Sequence, residues 1–365
     1  MDFSKYGFPS PEWLAFIARN PAAAQDGFSD NKPTLASHLR HAANTTREIT
    51  SQKLMTQSSL TKKINISTLS IPSRDSHTIP LRRYSPPTQQ PNLPGLIYFH
   101  GGGFLFGSQT TDDYLCATIA ESLGVVVLGV IYRHKPDHTH PAQHNDAQDA
   151  LAYIEQNASS TLGINITTGL SVLGISAGAA LAATAVLRDM ELSEHNPRRT
   201  RLISGVVLSI PWLLHVDQYP FNLFATPEKS AKMQCRDAPV IPWPRLKMFS
   251  DLLRVGDPGD PLLNTALVSD SRLGGWPKTS VLVAGMDPLR DDGLLFAKRL
   301  EGLRIPTRVY VFPGLPHGFR RRADLPASKV FDTRMLESIR WTLGTDSEVD
   351  SMEGWHEYMH SEGET

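Results

Sequence analysis

Along the chain, short β-branched runs alternate with longer stretches whose apolar residues recur at helical spacing. The runs "LIYF", "VVVLGVIY", "LSVLGI", "LISGVVLSI", "TSVLVAG" and "TRVYVF" read as buried strands. Helical stretches follow at about 111–122, 142–156, 177–191, 289–302 and 326–343. This alternation predicts an α/β fold with a mostly parallel sheet and helices on both faces. Upstream, "INISTLSI" and "HTIPLRRY" are joined through "PSRDS", and this pattern predicts an antiparallel strand pair.

The rhythm breaks between Trp212 and about Leu273, where prolines and aromatics are frequent and two short helical pieces replace any sheet-type run. Such a segment is too long for a plain loop. An insertion lying over the end of the sheet is expected, together with the N-terminal "SPEWLAFIAR" helix and the polar, helically spaced stretch after it. The expected organisation is an N-terminal helical cap segment over 1–60, a first part of the α/β core over 61–211 and a cap insertion over 212–273. A second part of the core then spans 274–345, followed by an acidic, solvated tail over 346–365.

Composition narrows the function classes. With 365 residues and 40% hydrophobic content the chain can bury a sizeable core. A formal net charge of −1 gives no electrostatic case for nucleic acid or an anionic membrane surface. Cys116 and Cys235 follow no metal or redox spacing, so a reducing compartment is the simpler inference. No secretory signal and no window of roughly 20 apolar residues is found, so a cytoplasmic location without a membrane span is expected. The N-x-S/T strings at Asn44, Asn65, Asn157 and Asn165 then read as chance matches.

Three stretches can carry chemistry. In "LSVLGISAGAALAA", from Leu170 to Ala183, a buried-type strand passes into an alanine-rich helix around Ser176, with Gly174 and Gly178 on either side. A strand-to-helix turn that sharp would lift the serine hydroxyl above the strand ends. In "YFHGGGFLFGS", three glycines directly after a strand let backbone N–H groups approach an anion. The reading is an oxyanion hole built from Gly102, Gly103 and Ala177, since neither a dinucleotide fingerprint nor a phosphate loop is present. Asp287 follows the strand "TSVLVAG", where open α/β sheets build their sites, and His317 stands on a Pro/Gly-rich loop after the last strand. Asp291 and Asp292 read as first-turn helix charges. Nucleophile, acid and histidine thus occur in the order Ser176, Asp287, His317.

These residues resemble the hormone-sensitive-lipase-like branch of the α/β-hydrolases, carboxylesterases and lipases with a helical cap. The resemblance runs roughly from Leu96 to Ile339. It includes "HGGGF" at His100–Phe104, "YRHKPDHTHPA" from Tyr132 in place of the usual "YRLAPEHPFPA", "GISAG" at Gly174–Gly178, "DPLRDDG" from Asp287 and "HGF" at His317–Phe319. The segment "DAPVIPWPRLKMF" looks most like fungal members, some of which serve natural-product pathways. Two positions depart from the pattern: Ile175 stands where an acid is common, and Ala179 and Ala180 replace a glycine and an asparagine. Both bear on substrate preference rather than on the triad.

The resemblance implies a serine carboxyl-ester hydrolase acting on a small or medium ester, without cofactor or metal. A thioesterase, acyltransferase or cyclase using the same triad is the alternative, and a non-catalytic small-molecule receptor a remote one. Phe104, Phe106 and Trp212 are candidate substrate-lining residues. His134, His138, His140 and His144 have spacings that suggest zinc ligands, but Pro136 and Pro141 interrupt any helix that would align them. Tyr132, Arg133 and Asp146 read as scaffold. The expected partner is a small-molecule ester or thioester; the sequence leaves the oligomeric state open, a homodimer included.

Overall fold

The computed structural model describes residues 1–24, 36–87, 93–345 and 353–360. Its strands are β1 (Asn65–Pro72), β2 (Thr78–Ser85), β3 (Gly95–Phe99), β4 (Val126–Val130), β5 (Leu170–Ile175), β6 (Gly205–Ser209), β7 (Lys278–Met286), β8 (Thr307–Pro316) and β9 (Gly354–Glu357). They form one sheet in the order β1-β2-β4-β3-β5-β6-β7-β8-β9. β1 and β2 pair antiparallel, as do β2 and β4, and every later pair is parallel. The expected α/β-hydrolase architecture is therefore what the chain adopts.

Helices α1 (Pro11–Arg19), α2 (Ala36–Gln57) and α3 (Leu60–Lys63) precede the sheet, and α4 (Asp113–Leu123), α5 (Ala142–Asn157) and α6 (Ala177–His195) alternate with its strands. Short helices α7 (Ala231–Gln234), α8 (Trp243–Asp251) and α9 (Asp270–Leu273) lie between β6 and β7, with several 3-10 turns rather than two helical pieces alone. Helices α10 (Arg290–Gly302) and α11 (Pro326–Leu343) complete the set.

The period-2 alternation of strand side chains separates two cores. Ile97 and Phe99 of β3 pack with Ala147, Leu151 and Ile154 of α5 and the alanines of α6. Leu96 and Tyr98, pointing the other way, pack with Leu115 and Ile119 of α4 and with Phe331, Met335 and Ile339 of α11. Because all five β3 residues are buried, each strand position faces a helix and none faces water.

The expectation of a solvated acidic tail fails over 353–360. Gly354–Glu357 extends the sheet as β9, parallel to β8, with Arg308 opposite Gly354 and Val311 opposite Glu357. Glu357 accepts hydrogen bonds from Lys5 Nζ and Tyr6 Oη, each at 2.6 Å, and Glu12 accepts one from Tyr358 Oη at 3.0 Å. Acidic residues here are partners for the N-terminal segment rather than a solvated run. The rest of 346–365 lies outside the described residues. No helix among those described is long and apolar enough to cross a membrane, and both cysteines are free, buried thiols.

Candidate active site

The local chain around Ser176 is dictated by close backbone approaches. A Cβ on Gly174 would lie 2.3 Å from the Gly178 carbonyl oxygen, and one on Gly178 would lie 2.2 Å from that of Phe99. Only glycine lets α6 start this close to β5 and β3. The β3–β5 register, with Phe99 opposite Gly174, then sets the glycine-rich loop beside the serine. Ser176 takes φ 54° and ψ −119°, a conformation costly for a residue with a side chain. It is held by backbone bonds: Ser176 N donates to Ser209 O at 2.8 Å, and Ala179 and Trp212 donate to Ser176 O at 2.9 and 3.2 Å.

Ser176, Asp287 and His317 come together from the ends of β5, β7 and β8. His317 Nε2 lies 3.0 Å from Ser176 Oγ, and Nδ1 lies 2.6 Å from Asp287 Oδ2. A carboxylate can only accept, so Nδ1 carries the proton and Nε2 is free to receive one from the hydroxyl. Asp287 Oδ1 accepts from the Leu289 amide at 2.9 Å, which fixes the carboxylate plane. All three side chains are buried.

The amides of Gly102 and Gly103 donate to no backbone carbonyl among the described residues. The Gly102 carbonyl takes the opposite role, accepting from Leu105 and Phe106 at 3.0 and 2.9 Å, and so turns the loop tightly. Ala177 opens α6, where the first N–H groups have no intrahelical acceptor. A cavity of about 430 Å³ is lined by Gly101, Gly102, Gly103, Ser176 and His317 together with Phe106 and Phe249. Phe104 and Trp212 instead line a separate small cavity with Ala180, His215, Leu253 and Leu263, and their rings are 5.6 Å apart. Trp212 reaches the serine through its backbone amide, not through its indole.

Several site-forming residues carry no local sequence signal. Helix α2 contributes Ala42, Ala43, Thr46 and Arg47 to the cavity wall, and the segment before β7 contributes Val240, Ile241 and Arg245. Asn44, read as a chance glycosylation string, grips the glycine-rich loop through both the amide and the carbonyl of Gly107. Its Nδ2 donates to Gly107 O at 2.8 Å, and its Oδ1 accepts from Gly107 N at 2.9 Å. His100 packs against Tyr132 with ring centroids 4.3 Å apart, and burial pushes its imidazole down to about 4. A neutral, enclosed ring there packs under the loop and does not serve as an imidazolium acid at neutral pH.

Asp291 and Asp292 do lie in the first turn of α10, but both are buried rather than surface charges. Asp291 pairs with Arg290 Nε at 2.8 Å and accepts from Tyr219 Oη at 2.6 Å and the Ala231 amide at 2.5 Å. Asp292 accepts from the Leu213 and Leu214 amides at 2.8 and 3.0 Å. Together they tie the segment after β6 to the sheet. The histidine run is divided among separate contacts: His140 bonds Asp260 at 2.8 Å, and His144 packs edge-on to His140 at 4.9 Å. Among the described residues no group of three or more His, Cys, Asp or Glu could hold a metal ion. Arg133 pairs with buried Asp146 at 2.7 Å, the role of scaffold.

Comparison with known proteins bears on the family and the fold. A family model described as "alpha/beta hydrolase fold" matches residues 96–321. The chain is 31% identical over 272 residues to a versiconal hemiacetal acetate esterase of Dothistroma septosporum, covering 74% of this chain and 79% of that protein. It is 32% identical over 266 residues to an ethyl acetate hydrolase of Pseudomonas putida, covering 71% and 77% respectively. Among solved structures, vibralactone cyclase shares the fold with a TM-score of 0.82 at 23% identity, over 93% of this chain and 96% of that one.

Proposed function

The chain belongs to the α/β-hydrolase family whose model spans residues 96–321, and we propose that it is a serine esterase cleaving carboxylic esters through an acyl-enzyme. Relatives it is similar to, a versiconal hemiacetal acetate esterase and an ethyl acetate hydrolase among them, are named for ester hydrolysis. The observation that carries the reading is the unbroken relay from Ser176 Oγ through both nitrogens of His317 to Asp287, opening on a cavity beside loop amides that donate to no backbone carbonyl among the described residues.

A serine hydroxyl is a weak nucleophile at neutral pH and needs a base within hydrogen-bond reach. His317 takes the proton as Ser176 attacks the ester carbonyl, while Asp287 holds the imidazole tautomer and stabilises the imidazolium. Charge then develops on the carbonyl oxygen. The Gly102, Gly103 and Ala177 amides donate to it, each such donor being worth about 2.7–4 kcal/mol. His317 returns the proton to the leaving alcohol, and a water molecule repeats the sequence to release the acid. Segments 1–60 and 212–273 act as the cap, since α2 and the Val240–Phe249 stretch supply the wall facing the serine.

The test is turnover of 4-nitrophenyl acetate through decanoate by wild type and Ser176→Ala, with Ser176 labelling by a fluorophosphonate. Labelling and turnover that both vanish in the variant support the reading. Turnover unaffected by the substitution would overturn it. Hydroxylamine trapping separates hydrolysis from acyl transfer, the activity a thioesterase, acyltransferase or cyclase would share with the same acyl-enzyme.

A further inference from the structure

The cavity over Ser176 is one-sided in charge. Arg47, Arg245, Arg321 and Arg322 line it, and no aspartate or glutamate is among its described lining residues. The whole chain is nearly neutral, with 36 Lys and Arg against 37 Asp and Glu, so the excess is local. Elsewhere buried arginines face carboxylates closely, as Arg133 does Asp146 at 2.7 Å and Arg290 does Asp291 at 2.8 Å. For Arg47, Arg321 and Arg322 the pairing is thinner among the described residues. Arg321 has Asp112 at 3.6 Å, and Asp112 also accepts from Tyr98 Oη at 2.9 Å. Arg47 and Arg322 form no ion pair among the described residues, and the Arg47 guanidinium carbon lies 5.3 Å from the centre of the Phe106 ring.

Arg47 reaches the cavity from α2, whereas Arg321 and Arg322 follow His317 through the short turn Phe319–Arg321. Burial, then the Arg321 charge, push the Arg47 guanidinium down to about 9, and the nearby Asp112 carboxylate opposes the shift. One partly buried carboxylate, Asp112, faces both Arg47 and Arg321 and is shared with the Tyr98 hydroxyl, so the wall keeps more positive than negative charge. Guanidinium groups are also the side chains best matched to a carboxylate or phosphate. A second cavity shares Arg321 and Arg322 but carries Asp324, which would repel an anion, so the favourable side is the one facing Ser176.

We propose that the substrate of this cavity is an ester bearing a separate anionic group, a carboxylate or phosphate, which Arg47, Arg321 and Arg322 hold while the ester carbonyl lies against Ser176. This rests on the hydrolase reading above and narrows its substrate class. The anion takes no part in bond making; it orients the ester and raises local substrate concentration.

The experiment compares matched esters at low ionic strength. For the acyl side these are 4-nitrophenyl hydrogen suberate and 4-nitrophenyl methyl suberate. For the alcohol side, 4-acetoxybenzoate and 4-acetoxyphenyl phosphate are set against methyl 4-acetoxybenzoate. The readout is the ratio of kcat/KM for anionic over neutral ester. The expected ratio is about tenfold or more in at least one arm, the arm identifying where the anion sits. It falls at least about fivefold in Arg47→Gln and in the Arg321→Gln, Arg322→Gln double variant, and the corresponding lysine variants restore part of it. A ratio near 1, or one unchanged by these substitutions, overturns the proposal. Should the glutamine variants not fold, a salt titration of wild type decides: a preference that does not weaken as salt rises overturns it. If no ester is turned over although Ser176 still reacts with a neutral fluorophosphonate, the hydrolase reading is at fault for these esters. The anion site is then judged separately, by whether suberate protects Ser176 from labelling and 1,8-octanediol does not; equal protection by the two, or none, overturns it.

Discussion

The α-carbon of Gly178 sits so near the end of β3 that a Cβ there would lie 2.2 Å from the carbonyl oxygen of Phe99 and 2.6 Å from that of His100. Backbone cannot retreat as a flexible side chain can. Gly178→Ala is expected to push α6 away from the oxyanion loop and lower 4-nitrophenyl butyrate turnover by at least about 100-fold, the scale of losing one oxyanion donor. Thermal unfolding run alongside separates this from global loss of structure. Near wild-type turnover would show that the loop and elbow are not coupled.

Ser176 carries a left-handed φ of 54° that glycine would adopt without strain. Ser176→Gly should therefore be inactive yet more stable than Ser176→Ala, by about 1 kcal/mol in urea unfolding. Equal stability of the two would mean that the elbow stores no strain.

Asp287, just after β7, and Asp291, in the first turn of α10, do different things. Asp287→Asn leaves an amide against His317 Nδ1 and is expected to lower kcat by about 10³–10⁴-fold with little change in urea midpoint. Asp291→Asn strands the fully buried Arg290 and loosens the Tyr219 and Ala231 contacts. It should lower stability by about 3–5 kcal/mol, with kcat per folded molecule less affected. Kinetics and unfolding on both variants would expose an exchange of these roles.

Burial pushes three histidines to low values: His100 to about 4, His144 to about 3, and His134 well below its ordinary value. For each, the folded form binds its proton later than the unfolded form, so the unfolded state holds more protons as pH falls below about 6.5. Stability should fall from that pH downward, by at most about 1.4 kcal/mol per pH unit for each histidine, until the folded values are reached. His144→Gln should remove close to one proton from the slope between pH 6 and 4. An unchanged slope would exclude His144 from the acid response.

Lys135 is fully buried, and its Nζ finds no hydrogen-bond partner among the described residues. It lies 5.2 Å from the ring centre of Phe249 and about 6 Å from those of Trp212 and Phe104. Burial drives the amine well below its ordinary value, so below about 10.5 the unfolded state holds this proton more tightly than the folded one. The stability penalty therefore shrinks as pH rises toward about 10.5. Lys135→Met should be more stable by about 1–3 kcal/mol at pH 7, with the advantage narrowing at pH 9.5. A variant less stable at pH 7 would mean that the amine has found a compensating partner.

The parallel strands and the residues of the relay were legible because their signals are local: a buried run, a pair of glycines two places from a serine, an acid and a histidine after successive strands. What escaped was long-range. Asn44 holds Gly107 from a mostly polar helix whose few apolar residues do not mark the gripping asparagine. The wall of the cavity joins α2 to the Val240–Phe249 stretch, two segments about 200 residues apart whose meeting no short pattern encodes. Strand β9 is the four residues "GWHE", half-exposed and without alternation, so pairing with β8 and the contacts of Lys5 and Tyr6 make it a strand where propensity does not. Phe104 and Trp212 were drawn toward the pocket by their size, yet aromatic rings of that size pack as readily behind a site as in it.

The clasp between β9 and the first residues of the chain has a temporal consequence. During synthesis β8 leaves the ribosome well before Gly354–Glu357 does, so the nascent sheet carries an open parallel edge for that interval. Lys5 and Tyr6, made long before, must wait for Glu357 before their contacts can form. The order of translation thus leaves this margin of the sheet open for the interval between β8 and β9, and the docking of β9 closes the edge and fixes the N-terminal segment in one event.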